Sequence, residues 1–308
     1  MEQYDSFQNK QQQFCNYRNI CSIEELGTFI QELKELQSNS KLHCVFRGVN
    51  EAKYMLFNSA QRQWQDWNLA KIGITYKDRI NCMLNTCRKS LLSQYYKRLG
   101  ISANDWLFLS FLQHYNAPSP FLDFSKDYKA ALFFACNETR AYKTTGNELE
   151  NYISIYYFRF VDAAQHINSL KAIAQTLTDD LPISKYVFEN ELSFNTIMDK
   201  QDVIFVPSYS NIMKVGKKKN QLILATANLR STSQEGEFVC NGTEDKPLEM
   251  LFKEHGAELY CVDIHKGLCN YIIHHYLDGN IESARKKYFP QEIDISSNAT
   301  LSFMNGMN

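Results

Sequence analysis

Apolar residues recur at intervals of three and four along Ile23, Leu26, Phe29, Ile30, Leu33 and Leu36, a spacing that predicts an amphipathic helix ending near Ser38. Ser22-Ile-Glu-Glu25 has the form of a capping box at its start. Leu42 to Arg47 reads as a short strand ended by Gly48, and residues 49–70 are aromatic without a clean period. Ile80, Met83, Leu84, Cys87 and Leu91 predict one long helix from Thr75 to Arg98, stopped at Gly100. Ser102-Ala-Asn-Asp105 caps a further helix to His114 and Tyr115, which Pro118 and Pro120 must break. Phe121 to Phe124 is then a strand, with Ser125 as N-cap of a buried helix from Tyr128 to Ala135.

Beyond it, strands are expected at Ile153–Phe160, Asp202–Pro207, Gln221–Ala227, Gly236–Cys240 and Glu258–Ile264. Helices are expected over 162–177, after Pro247, over Gly267–Asp278 and over Ile281–Tyr288. No repeat or Gly/Ser linker interrupts the pattern. The expected fold class is α+β, a helical N-terminal half packed on a mixed, mostly antiparallel sheet. Residues 1–20 read as a loose polar leader and 21–308 as a single domain.

Composition narrows the function classes. The 308 residues are 44% hydrophobic, enough for a core, and with 12 Gly and 6 Pro the chain is neither collagen-like nor low in complexity. A net charge of −1 gives no global basic field for nucleic acid or membrane. No apolar run approaches the roughly 18 residues of a membrane span, and the polar N-terminus has no signal core. The nine cysteines include no Cys-x-x-Cys, so reduced thiols in the cytoplasm are expected, with Cys44, Cys136 and Cys261 buried in apolar segments.

Four segments place chemistry where the surrounding pattern is apolar. In Phe46-Arg47-Gly48, a strand-end Arg asks for an anion or carboxylate, and Gly48 leaves room for a ligand to approach the backbone. Gln113-His114-Tyr115 offers a base or donor and a stacking ring, and Leu122-Asp123-Phe124-Ser125 sets a carboxylate and a hydroxyl at a helix start. In Gln234-Glu235-Gly236-Glu237-Phe238, an extended chain would put Glu235 and Glu237 on one face. Structural readings stay open for each: an internal Arg–Asp pair, satisfied core polar groups, a plain N-cap, a solvated turn. Two weaker signals are the spacing of Cys261, His265 and Cys269, which is not helical throughout and implies no metal, and a basic turn at Lys214, Lys217, Lys218 and Lys219.

Together these segments resemble the FRG-domain family. The resemblance rests on Phe46-Arg47-Gly48, on QHYNAPSPFLDFSKDYKAALFFA over 113–135, on Arg230 with Gln234-Glu-Gly-Glu-Phe238, and on Tyr288-Phe289-Pro290 with Asp294; it spans residues 20–300. Asn116 stands where the family usually has Gly, and Ser119-Pro120-Phe121 where it has Thr-Arg-Leu. The motif order also resembles the Arg–Ser–Glu class of ADP-ribosyltransferases, which implies that kind of fold and NAD as substrate, with a macromolecular acceptor and a bacterial toxin or anti-phage setting. On that resemblance Arg47, Gly48, Tyr115, Asp123 and Arg230 would bind NAD, and Ser125, His114, Gln234 and Glu237 would serve catalysis. Which of Gln234 to Glu237 is the catalytic counterpart stays open. The alternatives are a nucleotide- or nucleic-acid-binding module without chemistry, and a hydrolase using His114 and Asp123 as base and orienting partner.

Overall fold

The computed structural model describes residues 2–99, 101, 103–139, 148–180, 190–207, 213–215, 218–220 and 232–290. Among these, the helices are α1 (Phe7–Gln11), α2 (Ile23–Ser38), α3 (Ser59–Asp66), α4 (Tyr76–Lys89), α5 (Leu91–Arg98), α6 (Asp105–His114), α7 (Tyr128–Cys136), α8 (Phe160–Ala163), α9 (Leu170–Asp180), α10 (Phe194–Met198), α11 (Leu248–Glu254), α12 (Cys269–Tyr276) and α13 (Ile281–Tyr288). The strands are β1 (Asn16–Ile20), β2 (Cys44–Val49), β3 (Phe121–Ser125), β4 (Tyr152–Arg159), β5 (Val203–Pro207), β6 (Met213–Val215), β7 (Lys218–Asn220), β8 (Gly236–Asn241) and β9 (Tyr260–His265). Seven strands form one sheet in the order β1-β9-β4-β2-β3-β8-β5, and β6-β7 make a separate pair. Only β1-β9 is parallel within the sheet, so the α+β class with a mixed, mostly antiparallel sheet holds.

Strand alternation divides the core between two faces. On one face Phe46, Ile153, Ile155, Val262 and Ile264 pack with α2, α7, α12 and α13. Beside them, Phe121, Ile204, Val206, Phe238 and Cys240 pack with α4, α6, α9 and α10. Val45, Leu122, Phe124, Phe158 and Val239 point the other way, under α11 and the N-terminal Tyr4 and Phe14. α2 shows the local logic. Its Ser22–Glu25 capping box forms as expected, and Leu26, Phe29, Ile30 and Leu33 are all buried. Each such side chain contributes about 1.5–3 kcal/mol of transfer free energy.

Several expectations change. Residues 2–20 are no loose leader: α1 and β1 are built in, β1 pairs in full register with β9, and Tyr4, Lys10 and Phe14 are buried. The helix expected over 75–98 is two helices, because the Ser90 hydroxyl donates to the Cys87 carbonyl and accepts from Leu92 N, ending α4 and capping α5. α7 is capped by Asp127, which accepts from Lys129 N; Ser125 is still on the strand. β2 runs through Gly48 to Val49, with Gly48 opposite Ile155. Gly48 is not an opening for a ligand. A Cβ there would lie 1.8 Å from the Ala131 carbonyl oxygen and 2.8 Å from Ala135 N, so α7 itself occupies that space. Arg230, Asp294, Ser102, Lys217 and the strand expected over 221–227 lie outside the described residues.

Candidate functional site

β2 and β3 are paired at one register position, Phe46 opposite Ser125. Arg47 follows, opposite Tyr156 of β4, and its Nη1 donates to the Asp123 carbonyl oxygen at 2.7 Å. The side chain thus ties the two strands just past their bridge. The Asp123 side chain lies on the sheet face that carries α6, where its Oδ2 accepts from Gln113 Nε2 at 2.6 Å. Asp123 therefore meets Arg47 of β2 through its main chain and Gln113 of α6 through its side chain, with Arg47 alternating onto the face of Val45.

Hydrogen bonding at this junction is incomplete. Arg47 Nε, Gln113 Oε1 and Asp123 Oδ1 are buried and have no partner. Buried polar atoms are nearly always paired, so such a set marks a place where something else supplies the bonds. Burial lowers the Arg47 pKa below its ordinary value, and the Asp123 charge opposes that. Arg62 of α3 is lowered too, by burial first and then by the nearby Arg47 charge. Arg62 donates to the Phe57 carbonyl at 2.6 Å. The Asp66 carboxylate acts on Arg62 in turn, so two arginines and two carboxylates share this neighbourhood.

The other expected residues are placed as follows. His114 is buried, its ring edge against Phe238. Tyr115 is 59% exposed and stacks on Phe111 at 4.4 Å, at the C-terminal end of the helix bearing Gln113. Asn116 has φ 59°, the left-handed backbone that Asn tolerates in place of Gly. The Ser125 hydroxyl accepts from Asp127 N at 2.9 Å and donates to the Gln234 carbonyl, and Gln234 Nε2 donates to the Tyr288 carbonyl at 2.8 Å. Ser125 and Gln234 thereby close the turn between β3, α7 and α13. Glu235 does not extend with Glu237. It sits at φ 46° in the turn before β8, and its carbonyl accepts from Lys126 N.

Glu237 pairs with Phe124 across the β3-β8 ladder, so its side chain leaves the face opposite to Asp123 and Ser125. Oε1 meets Lys126 Nζ at 2.6 Å, and Oε2 is buried without a partner. Burial raises the Glu237 pKa, and Lys126 only partly offsets it. A carboxyl raised in the fold contributes stability that is full below its unfolded pKa and is lost as pH rises through its folded pKa. Glu237→Gln copies the protonated form while Lys126 keeps access to water. The variant should melt above the wild type at pH 7, with the difference closing on acidification to about pH 4. Thermal melts at both pH values check this; a lower melting temperature at pH 7 would contradict it.

Sequence reasoning singled out His114 and Tyr115 and passed over their neighbour Gln113, and it missed Arg62. Gln113 opens the Gln-His-Tyr segment, whereas nothing local marks Arg62. Cys261, His265 and Cys269 do not form a ligand set: two are on β9 and the third opens α12. Among the described residues, no group of three or more His, Cys, Asp or Glu is placed to hold a metal, and no helix is long and apolar enough to cross a membrane.

The segments that meet at Asp123 are those of a known family model, the FRG domain, which matches residues 42–144. The chain carries an FRG domain. The match includes Arg47, Gln113, Asp123 and Ser125 and stops well short of Gln234 to Glu237. No curated protein and no solved structure matches the chain. Within the FRG domain, the glycine of Phe46-Arg47-Gly48 seats α7 against the sheet, and the arginine beside it reaches the junction with Asp123.

Proposed function

We propose that the FRG domain binds the ribose-phosphate part of a nucleotide, with NAD as the ligand, at Arg47, Gln113 and Asp123. The observation that carries this reading is the three unpartnered buried atoms, one from each of β2, α6 and β3. Asp123 Oδ1 and Gln113 Oε1 accept hydrogen bonds, which ribose hydroxyls donate. Arg47 Nε donates, and with Arg62 nearby it suits an anionic phosphate. A nucleotide offers both hydroxyl donors and an anion. The exposed Tyr115 ring, two residues past Gln113, adds a stacking face.

Transfer of ADP-ribose from NAD to a macromolecule extends the proposal. Its support is that β2, β3 and β8 are sheet neighbours bearing Arg47, Ser125 and Glu237 in motif order. Departure of nicotinamide leaves an oxocarbenium-like centre that a carboxylate stabilises. Recognition without transfer is the second reading, favoured by the Ser125 hydroxyl, which is engaged by Asp127 N and the Gln234 carbonyl.

Calorimetric titration with NAD tests the binding. Arg47→Lys keeps the charge but loses the planar fork, so NAD affinity should fall more than tenfold, about 1.4 kcal/mol or more. The melting temperature should change by less than about 3 °C, roughly 1 kcal/mol in a chain of this size. A variant that melts lower with unchanged affinity would reduce Arg47 to an internal tie. A wild type that binds no NAD would end the nucleotide reading in this form. Release of free nicotinamide on incubation with NAD separates transfer from recognition.

A further inference from the structure

The aromatic stretch before residue 70 has no role at the Asp123 junction. In the fold, α3 and the residue that caps it set Ala60, Gln63, Trp64 and Trp67 at helical spacing along one stripe. α4 sets Tyr76, Arg79, Ile80 and Met83 along another. A short helix over Leu69–Ile72 joins them, with Asn68 at φ 51° and Gly73 at φ 73° turning the chain at its two ends. The two stripes, with Pro118 from the turn after α6, line a cleft of about 320 Å³. Neither Arg47, Gln113 nor Asp123 lines it.

The aromatic walls present carbon to the cleft because their polar tips are engaged elsewhere. Trp64 Nε1 donates to the Ile74 carbonyl at 3.3 Å, and the Tyr76 hydroxyl donates to Asn58 Oδ1 at 3.0 Å. The two rings meet edge to face at 6.4 Å, and Ala60, Leu69 and Ile80 are buried beside them. Trp67 is 59% exposed, so much of a large ring at the rim stays in water. Two lining side chains keep hydrogen-bonding groups that the fold does not use. Neither the Arg79 guanidinium nor the Gln63 amide makes a hydrogen bond or ion pair among the described residues. Arg79 is also the one charged residue that lines the cleft.

We propose that this cleft is a second binding site, which takes a small aromatic carboxylic acid with its ring against Trp64 and Trp67 and its carboxylate on Arg79 and Gln63. Flat aromatic walls favour a ring over a branched aliphatic chain, because stacked and edge contacts add to the area buried. The Met83 sulfur is polarisable and adapts to a ring edge. The planar fork of Arg79 matches a carboxylate through two parallel hydrogen bonds and repels an amine. The Gln63 NH2 supplies a further donor. The volume sits at the small end of ligand pockets, roughly 300–1,000 Å³, which suits a small molecule of one or two rings. Binding would cover the Trp67 ring, the part of the cleft most open to water.

The test is calorimetric titration of the full chain with indoleacetate. Three relatives of the probe serve as comparisons: tryptophol (the ring with a hydroxyl for the carboxylate), tryptamine (the ring with a cation) and hexanoate (the carboxylate without a ring). Indoleacetate should bind at one site, tryptophol about fivefold more weakly, and tryptamine and hexanoate not measurably. Trp67→Ala should weaken indoleacetate roughly tenfold. Because that ring is exposed, the variant should melt within about 2 °C of wild type. Arg79→Gln should bring indoleacetate down to the affinity of tryptophol and leave tryptophol itself unchanged. Excess NAD should displace neither ligand. No binding of indoleacetate in the millimolar range would overturn the proposal, as would equal affinities for indoleacetate and tryptophol. Unchanged affinity in both variants, or displacement by NAD, would place the ring acid elsewhere on the protein and overturn it as well.

Discussion

Gly48→Ala should cost the protein its native fold, with a loss of more than about 3 kcal/mol and little soluble product. Ordinary overpacking costs about 1–3 kcal/mol because side chains can rotate away. Here the added methyl meets backbone: the Ala131 carbonyl oxygen at 1.8 Å, the Ala131 carbonyl carbon at 2.7 Å and Ala135 N at 2.8 Å. These atoms belong to α7, which cannot yield locally without lifting Ala131, Ala135 and Phe133 out of the core they share with Phe46. Trimming Ala131 to Gly should not rescue the variant, since the clash is with its carbonyl and not its methyl. A soluble Gly48→Ala protein that melts within about 3 °C of wild type would refute the close-packing account. A variant that folds normally but loses only ligand would mean that Gly48 leaves an opening beside Arg47.

That glycine shows which part of the molecule can be read from residues in order. Where a rule is local, reading succeeded. The Ser22–Glu25 box begins α2, alternation marks β4 and β8, and the two prolines after Tyr115 end α6. Failures began where one side chain outweighed a period. The apolar stripe from Ile80 to Leu91 continues across Ser90, yet its hydroxyl bonds backbone on both sides and splits the helix. The site divides the same way. Phe46-Arg47-Gly48 and the segment from Gln113 to Ser125 were visible as motifs, but their roles depend on which strands become neighbours. Only β2 beside β3 brings Arg47 to the Asp123 carbonyl. Only α6 packed on β3 brings Gln113, not an obvious catalytic residue, to the Asp123 carboxylate.

Lys10 was the least legible residue. It sits in a polar run of Gln and Asn, where a lysine reads as solvated, and its partner is at the far end of the chain. In the fold its side chain is fully buried. Nζ donates to Asp263 Oδ1 at 2.7 Å, to the Ser154 hydroxyl at 2.8 Å and to the Ala52 carbonyl at 2.8 Å. Asp263 also accepts from Tyr17 at 2.8 Å and from Ser154 at 2.6 Å. Burial alone would lower the Lys10 pKa, but the Asp263 charge outweighs it, and the net shift is upward. The ammonium therefore stays charged throughout the neutral range, and its contribution is lost only in strong alkali.

Lys10→Ala should destabilise the protein by about 3–5 kcal/mol, because it strands a buried carboxylate without its cation. At about 2–4 °C per kcal/mol for a chain of this size, the melting temperature should drop by roughly 10 °C. Adding Asp263→Asn should recover a large part of the loss, since the amide oxygen can accept from Ser154 while its NH2 donates to the Tyr17 hydroxyl, and no unpaired charge remains. The pair interaction is then the difference between the double variant and the sum of the singles. Nucleotide affinity at Arg47 should be unchanged in whatever fraction of Lys10→Ala stays folded, because the Lys10 ammonium bonds Asp263, Ser154 and the Ala52 carbonyl and none of Arg47, Gln113 or Asp123. A Lys10→Ala protein as stable as wild type, or a double variant no better than the single, would mean that the N-terminal segment is held by its apolar contacts, Phe7 on Tyr152 and Phe14 on Tyr156, and that the ion pair is incidental.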